Sequence, residues 1–378
     1  MRLARHVVTV KRLLVSKLLI SFVWIAAVGD AQAQTGTAAH PNDVARFFAG
    51  LPVRPGSPLE VIANFPAAKA HAREAAALAE KWENFRLSQI RTWAGQEIHP
   101  KISRPRVVKY MFGGPDFVHA TTVFPEVPEY ILVGMEPLGS VPEFSRMNPA
   151  ELQSFLSHLI YTMRSISKRS FFITKEMKED FGNQGVDGVY PVLLYFAALT
   201  GHSVLDASYV KLDLNGAAVK CDASVATGIW LQIKPLAPSP KAPASQSLYY
   251  FKTDLSNAGF QAGRPFHKFI TARPGGIGYL KAASYLMHTD SFSNIRNFLV
   301  GDCQYILQDA SGIPANFFSQ YYNVTYYGNY IGPIDMFSEY DQPGLRQLYQ
   351  SGIARPLPFG TGYRMKDEHS IQMFGVRK

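Results

Sequence analysis

Large side chains at helical spacing predict one long amphipathic helix early in the chain. Between Ala67 and Ala94 they recur at spacings of four, three, four and four residues, and charged residues fill the other face. Gly95 follows at once, as is common just past a helix end. The recurring positions are Leu78, Trp82, Phe85, Gln89 and Trp93. This pattern favours a helix that docks one face on the rest of the protein.

Two later segments are apolar around most of a helical circumference and predict buried helices. In NPAELQSFLSHLIYTMRSI, Asn148 stands at the N-cap and Pro149 at the first helical position. In YPVLLYFAALTGH, Pro191 opens and Gly201 closes the pattern. RPGGIGYLKAASYLM is interpreted as a glycine-rich turn followed by a helix, and SFSNIRNFL and PGLRQLYQSG as short helices.

Seven segments have the composition of β-strands. RVVKYMF, FVHATTVF and EYILVGM form a first group, SYVKLDL, GIWLQIK and SLYYFKTDL form a meander, and CQYILQ follows later. The stretch PLAPSPKAPASQ joins the last two strands of the meander. Its composition is also that of an interdomain linker, but a good strand lies on each side, so we interpret it as a long hairpin loop.

Together these elements predict an α+β fold with a mixed, largely antiparallel sheet and helices that cover its faces, in a single globular domain over residues 67–378. PDFVHATTVFPEVPEYILVGMEPLG is faintly echoed by SYLMHTDSFSNIRNFLVGDCQYILQDASG, which aligns His119 with His288 and Tyr130 with Tyr305. Two similar halves, residues 67–235 and 247–378, would produce such an echo. Chance in a tyrosine-rich chain would produce it too.

The N-terminus has the pattern of a secretory signal peptide over residues 1–33. A basic segment precedes the 12-residue apolar run LLISFVWIAAVG, and Ala31 and Ala33 form an Ala-x-Ala cleavage site. An uncleaved anchor is the alternative, but a membrane span needs roughly 20 residues. Residues 34–66 are interpreted as an irregular leader with one short helix around DVARFFAGL. We therefore expect a periplasmic or secreted protein with no membrane span after cleavage.

Composition and charge limit the classes of partner that we expect for this protein. The chain has 378 residues, of which 47% are hydrophobic and 18% charged, and this composition is that of a globular protein. The net charge of +9 falls to +5 without the first 33 residues, and no lysine/arginine run of the nucleic-acid type is present. A cell-envelope polymer or a small ligand is the expected partner, and no nucleic acid. Cys221 and Cys303 could pair or remain two thiols.

Five segments resemble blocks of a family of exported bacterial proteins. They are FGGPDFVHATTVFP, YILVGMEPLG, QDASGIP, YGNYIGPI and PLPFGTGYR, and they cover most of the chain from about residue 105 onward. The resemblance implies export and a single folded unit. It implies no activity, cofactor or catalytic residue.

A hydrolase site is one candidate for chemistry. Ser311 would be the nucleophile, His288 its base and Asp309 or Asp290 the orienting carboxylate. The chain has no G-x-S-x-G elbow. Asp309 and Ser311 also suit a turn at a strand end, and Asp290 suits a helix start. The alternative interpretation is therefore that these residues are turn and cap formers.

Metal and anion sites are weaker candidates. A metal site could combine His288 and Asp290 with His119, Asp116 or Glu136. The sequence contains no H-E-x-x-H motif and no zinc-type spacing of Cys and His. We therefore expect neither a metal nor a cofactor. Backbone amides of RPGGIGYLK could cradle an anion at a helix start, with Arg273 and Lys281 nearby. A plain turn is the simpler interpretation of these glycines.

An aromatic stretch supplies the candidate binding residues, because exposed tyrosines can stack on sugars or peptides. They are Tyr321, Tyr322, Tyr326, Tyr327 and Tyr330. If buried, they would be ordinary sheet packing. The sequence thus predicts an envelope-associated or ligand-binding protein, with an exported hydrolase as the alternative.

Overall fold

The computed structural model describes residues 39–169, 186–237, 241–366 and 368–378, so the predicted signal peptide lies outside the described residues. The α+β prediction is confirmed. The described helices are α1 (Pro41–Phe48), α2 (Glu60–Ala63), α3 (Pro66–Trp82), α4 (Ser88–Trp93), α5 (Phe117–Val123), α6 (Pro149–Arg169), α7 (Val189–Leu199), α8 (Pro265–Thr271), α9 (Ser293–Asp302), α10 (Ala315–Tyr321) and α11 (Pro343–Gln350). No helix among them is long and apolar enough to cross a membrane.

One ten-stranded mixed sheet organises the described residues. Its strands are β1 (Val107–Tyr110), β2 (Glu129–Gly134), β3 (His202–Leu212), β4 (Ala218–Lys220), β5 (Gly228–Pro235), β6 (Gln246–Lys252), β7 (Ile277–Leu280), β8 (Tyr305–Gln308), β9 (Tyr322–Gly328) and β10 (Ile371–Arg377). Their spatial order is β4-β3-β5-β6-β2-β1-β7-β8-β10-β9. The β5–β6 pair is antiparallel, which confirms the hairpin across the proline-rich stretch.

The centre of the sheet is parallel. Neighbours in the run β6-β2-β1-β7-β8 pair in parallel, whereas β4, β3 and β5 on one side and β10 and β9 on the other add antiparallel pairs. Antiparallel pairs thus form five of the nine pairings, and the largely antiparallel prediction missed the parallel centre. The central strands β1, β7 and β8 are buried on both faces, which is typical of parallel strands.

Helices cover both faces of this centre. Val108 and Tyr110 of β1 pack in the same core cluster as α1 and α3–α7, whereas Val107 packs in a second cluster with α8–α11. Numbered along the chain, the five parallel strands have the order 3-2-1-4-5, which is that of doubly wound folds. The strand order reverses between β1 and β7, and the connecting helices change from one face of the sheet to the other at this switch point. Ligands in such folds bind at this switch point, outside the carboxyl ends of the strands.

The long early helix is present, but two π-helical turns change which of its positions point toward the core. π-helical turns at Glu83–Leu87 and Ala94–Ile98 extend α3 and α4 into one continuous helical segment. Trp82 and Trp93 are buried as predicted, whereas Phe85 is 72% exposed. A π-turn inserts an extra residue into the helical repeat, so positions inside it rotate away from the buried face. Phe85 therefore lies at the surface.

Local signals gave two wrong elements. FVHATTVF, predicted as a strand, forms α5, because the chain must cross back over the sheet between the parallel strands β1 and β2. The glycines of RPGGIGYLK lead into strand β7 and not into a helix; Gly275 and Gly276 have φ of 75° and 88°. By contrast, Asn148 caps α6 as predicted, since its Oδ1 accepts the amides of Ala150 and Glu151 at 3.0 Å.

The proposed halves share one sheet and interleave within it. β6 lies between β5 and β2, and β7 lies beside β1. The sequence echo falls on two crossover units on opposite sides of the switch point, one running through α5 to β2 and the other through α9 to β8. Residues 39–66 add two helices and place Phe47 and Phe48 in the core. Helix α1 overlaps the short helix predicted around DVARFFAGL, whereas α2 was not predicted.

Candidate functional site

Two strained loops meet at the switch point. Residues 111–116 follow β1 and residues 281–285 follow β7, and β1 and β7 are parallel neighbours. Phe112, Ala282, Ser284 and Tyr285 have φ between 53° and 63°, and only one other described non-glycine residue, Arg104, has a positive φ. Such conformations persist where the surrounding structure enforces them, and they concentrate at functional sites. This clustering marks the switch point as the candidate site.

Asp309 and Ser311 hold the second strained loop. Asp309 Oδ2 accepts the Ala282 amide at 2.8 Å, and Ser311 Oγ accepts the Ala283 amide at 2.7 Å. Tyr363 closes the loop by donating to the Ala282 carbonyl at 3.0 Å. Two of the three predicted hydrolase residues therefore lie at the switch point and position its backbone.

A buried ionic cluster lies between the two loops. Asp116 Oδ1 is 2.6 Å from His119 Nδ1, and Asp116 Oδ2 is 2.7 Å from Lys281 Nζ. Tyr110 also donates its hydroxyl to Asp116 Oδ2 at 2.7 Å. Asp116, His119 and Lys281 are each 1% exposed, so one carboxylate organises three partners away from water. Gly113 makes room for this arrangement, because a Cβ there would collide with the Tyr110 ring.

The cluster has a defined protonation pattern. Burial would raise the pKa of Asp116, but its interactions with His119 and with the Lys281 ammonium, which include hydrogen bonds from both, hold that pKa at about 2. Burial lowers the pKa of His119 and of Lys281, with Asp116 opposing the shift in both. We therefore assign a carboxylate to Asp116 and a neutral imidazole to His119 at pH 7.

The contacts also fix the tautomer of His119. Its Nδ1 has Asp116 Oδ1 at 2.6 Å and Lys281 Nζ at 3.1 Å, and one ring nitrogen cannot donate and accept at once. Because the carboxylate contact is shorter and Lys281 bonds to the other carboxylate oxygen, we assign the proton to Nδ1. A neutral imidazole oriented by a carboxylate is the arrangement that general-base catalysis uses.

A basic groove opens beside this cluster, with a volume of about 600 Å³. Its side chains include four basic residues and one acid, namely Lys81, Arg86, Arg164, Lys168 and Glu74. Glu74 pairs with Arg164 at 2.9 Å, so the described residues that line the groove keep a net positive charge. Trp82 lines the groove and its ring meets the His119 ring edge-on at a centroid distance of 6.2 Å.

Arg86 links the groove to the cluster. Its charge contributes to lowering the pKa of both His119 and Lys281, after the larger effect of burial. Burial also lowers the pKa of Arg86 itself. Its Nη1 is buried without a hydrogen-bond partner. Such a donor costs about 1–3 kcal/mol, and buried groups of this kind call for an explanation, such as a bound ligand that supplies the acceptor.

His288 does not share a hydrogen bond with Ser311 among the contacts of the described residues. The Ser311 hydroxyl donates to Asp309, and its oxygen accepts from Ala283. Burial lowers the pKa of His288 to about 4, although hydrogen bonding to the carbonyls of Ala310 and Gly312 acts to raise it. The three hydrolase candidates are therefore neighbours in the fold, but the hydroxyl is committed to the carboxylate and not to the imidazole.

The turn-and-cap interpretation of Asp290 holds in part. Asp290 begins a 3-10 turn, Asp290–Phe292, that leads into α9. The N-cap residue of α9 is Phe292, whose side chain makes no capping hydrogen bond. Asn257, from a distant loop, serves that role: its Oδ1 accepts the Asn294 amide at 2.9 Å. The cap is a tertiary contact that local sequence could not reveal.

The aromatic stretch is packed inside the protein and does not form an open platform. Four of its five tyrosines, Tyr322, Tyr326, Tyr327 and Tyr330, are buried, and only Tyr321 is exposed, at 41%. The expected aromatic cleft is therefore absent from the described surface of this segment. The rings lie in β9 and beside it, where aromatic residues favour sheet packing.

The predicted anion cradle is also absent, because its glycines open a strand and not a helix. Arg273 instead donates to Glu129 at 2.8 Å, and Lys281 pairs with Asp116. Within the described ranges, no group of three His, Cys, Asp or Glu side chains could hold a metal ion. Cys221 and Cys303 are separate thiols.

Sequence reasoning missed Arg86 and the joint role of Asp116, His119 and Lys281. The available signal was a polar residue after each buried strand: Lys281 directly after β7, Asp309 directly after β8, and Asp116 in the loop that follows β1. In a parallel sheet such residues meet at one edge.

The fold and site define an α+β protein with a doubly wound centre and a buried Asp–His–Lys cluster at its switch point. The chain matches no protein-family model, no curated protein and no solved structure. The resemblance to exported bacterial proteins therefore stays a prediction.

Proposed function

We propose that this protein binds a small anionic ligand with an apolar body in the basic groove beside the switch point. The observation that carries the proposal is Arg86, whose Nη1 is buried without a partner where the groove meets the buried cluster. A carboxylate, sulfonate or phosphate oxygen is the acceptor that a guanidinium bonds best.

The walls of the groove support an apolar body for this ligand. Small-molecule sites have volumes of roughly 300–1,000 Å³ and combine apolar walls with a few polar groups. The groove, at about 600 Å³, has Leu78, Trp82 and Met365 in its lining, and Phe85 stands 72% exposed at its edge. Rotation of the Arg86 side chain would present its unpaired nitrogen to an anion lying on these rings.

Binding of 1-anilinonaphthalene-8-sulfonate tests the proposal, because this probe joins aromatic rings to an anion. We expect saturable fluorescence enhancement with the parent protein and much weaker binding of the uncharged N-phenyl-1-naphthylamine. Arg86→Gln should raise the Kd for the sulfonate about tenfold, the usual effect of losing a charged hydrogen bond. Arg91→Gln is the matched control, since Arg91 lies in the same helical segment and pairs with Glu83 at the surface. Equal affinity of Arg86→Gln and the parent would contradict the proposal.

We further propose that the protein acts outside the cytoplasm, after export through the predicted signal peptide. The basic segment, apolar run and Ala-x-Ala site of residues 1–33 support this. N-terminal sequencing of the protein isolated from the cell envelope or the medium should begin at Gln34. Recovery of the intact Met1 form would contradict it.

A further inference from the structure

A second groove lies among three helices on the opposite face of the sheet. Its volume is about 730 Å³, and it is lined by residues of α9, α10 and α11 and by the turn that holds His288. Helices α9–α11 pack in the core cluster that excludes α3, which lines the basic groove. The helical groove, as we call it, is therefore a separate place on the molecule.

Two buried nitrogens without hydrogen-bond partners belong to residues that line the helical groove. They are His288 Nε2 and Arg296 Nε. The two side chains are neighbours, because the charge of Arg296 adds to the larger effect of burial in lowering the pKa of His288, while the Ala310 carbonyl opposes that shift. Each unsatisfied nitrogen destabilises the empty protein. That both residues line one groove is a reason to look for a shared ligand.

The rest of Arg296 is already fixed. Its Nη1 donates to the Met287 carbonyl at 2.8 Å, and its guanidinium lies over the Phe317 ring at 5.1 Å from the centroid. A guanidinium held in this way keeps its charge at one end of the groove and loses little freedom on binding.

Charge and polarity differ along the groove. Among the described residues that line it, the acid is Asp341, which pairs with Arg346 at 2.8 Å and is thereby compensated. Leu345, Leu348 and Pro343 of α11 line the groove with apolar surface. The groove thus joins a cationic end, formed by Arg296 and His288, to an apolar wall.

We propose that the helical groove binds a small organic carboxylate with an aliphatic chain. The carboxylate lies against the Arg296 guanidinium and accepts a hydrogen bond from the Nε2–H of the neutral His288 imidazole, and the chain lies along Leu345 and Leu348. Both cationic-end residues line the groove, so the carboxylate meets them without displacing the contacts of Arg296 with Met287 and Phe317. This inference does not depend on the basic groove or on Arg86.

Calorimetric titration with octanoate tests the proposal, with 1-octanol as the uncharged comparison. The parent should bind one octanoate and bind octanol at least tenfold more weakly. Arg296→Gln should raise the Kd for octanoate about tenfold or more, and His288→Gln several-fold. Arg86→Gln and the surface variant Arg355→Gln should bind octanoate as the parent does, which separates this site from the basic groove.

A groove-filling variant guards against misfolding as an explanation. Leu348 is 37% exposed, so Leu348→Trp should keep the parent's circular dichroism and unfolding transition while it blocks octanoate. Unchanged octanoate affinity in both Arg296→Gln and Leu348→Trp would overturn the proposal. So would equal affinity of the parent for octanoate and octanol.

Discussion

Replacing Asp116 by asparagine should lower the free energy of unfolding by about 3–5 kcal/mol, the usual cost of removing one partner of a buried ion pair. The substitution keeps the side-chain volume but removes the only negative charge among Asp116, His119 and Lys281, each of which is 1% exposed. The buried Lys281 ammonium would then lose the carboxylate that lies 2.7 Å from its Nζ, and the His119 Nδ1 proton would lose its carboxylate acceptor. Urea unfolding followed by circular dichroism measures the change.

A double substitution separates the charge effect from packing. Asp116→Asn combined with Lys281→Met removes both charges, so it should recover a large part of the loss, as replaced buried ion pairs often do. Asp206→Asn is the exposed control. Asp206 pairs with Lys220 at 2.5 Å but is 39% exposed, so its loss should cost about 1 kcal/mol or less. A cost for Asp116→Asn as small as that of the control would show that the cluster is not an isolated buried ion network.

The class of most elements could be predicted from sequence because their signals are local. The β5–β6 hairpin follows from two strand patterns around a proline-rich stretch, and the α6 start follows from Asn148. The direction of the central strands could not be predicted. A strand such as β1, buried on both faces, is a short continuous apolar run, and its sequence does not show which strand pairs with it or in which direction.

The fate of α5 shows how topology overrides local preference. Its β-branched residues, among them Val118, Thr121 and Thr122, favour a strand. Two parallel strands need a crossover connection, however, and a helix is the compact way to make one. Within α5 the Thr122 hydroxyl donates to the Val118 carbonyl at 2.5 Å, which satisfies its polar group inside the buried helix.

The sequence names three residues of the candidate site but not their grouping, and it does not name Arg86. It places Asp116 and His119 among the metal candidates and Lys281 beside the anion candidate, because His119 and Lys281 lie 162 residues apart in the chain. Only the pairing of β1 with β7 brings them together. Asp309 and Ser311 were correctly described as residues of a strand-ending turn, and their side chains also hold the strained loop at Ala282 and Ala283.

Stability should fall steeply as the pH is lowered from about 6.5 to about 4. His202 and His288 have an ordinary pKa of 6.5, which burial lowers in the folded protein to about 4 for each. Between these values the unfolded chain binds protons that the folded protein excludes, so acidification favours unfolding. Each histidine contributes up to about 3 kcal/mol to this loss. Burial lowers the pKa of His71 and His119 as well, which adds to the slope. Asp309 acts in the opposite direction, because burial raises its pKa.

His202→Gln isolates one of these contributions, away from both grooves. His202 packs against the Phe117 ring at a centroid distance of 5.5 Å, and its Nδ1 lies 3.0 Å from the Thr200 hydroxyl. Urea unfolding at several pH values should give a slope that is shallower in the variant by up to one proton, or about 1.4 kcal/mol per pH unit. A parent stability that is flat between pH 7 and pH 4.5 would mean that these imidazoles take up protons in the folded state, and that the cores around them admit water.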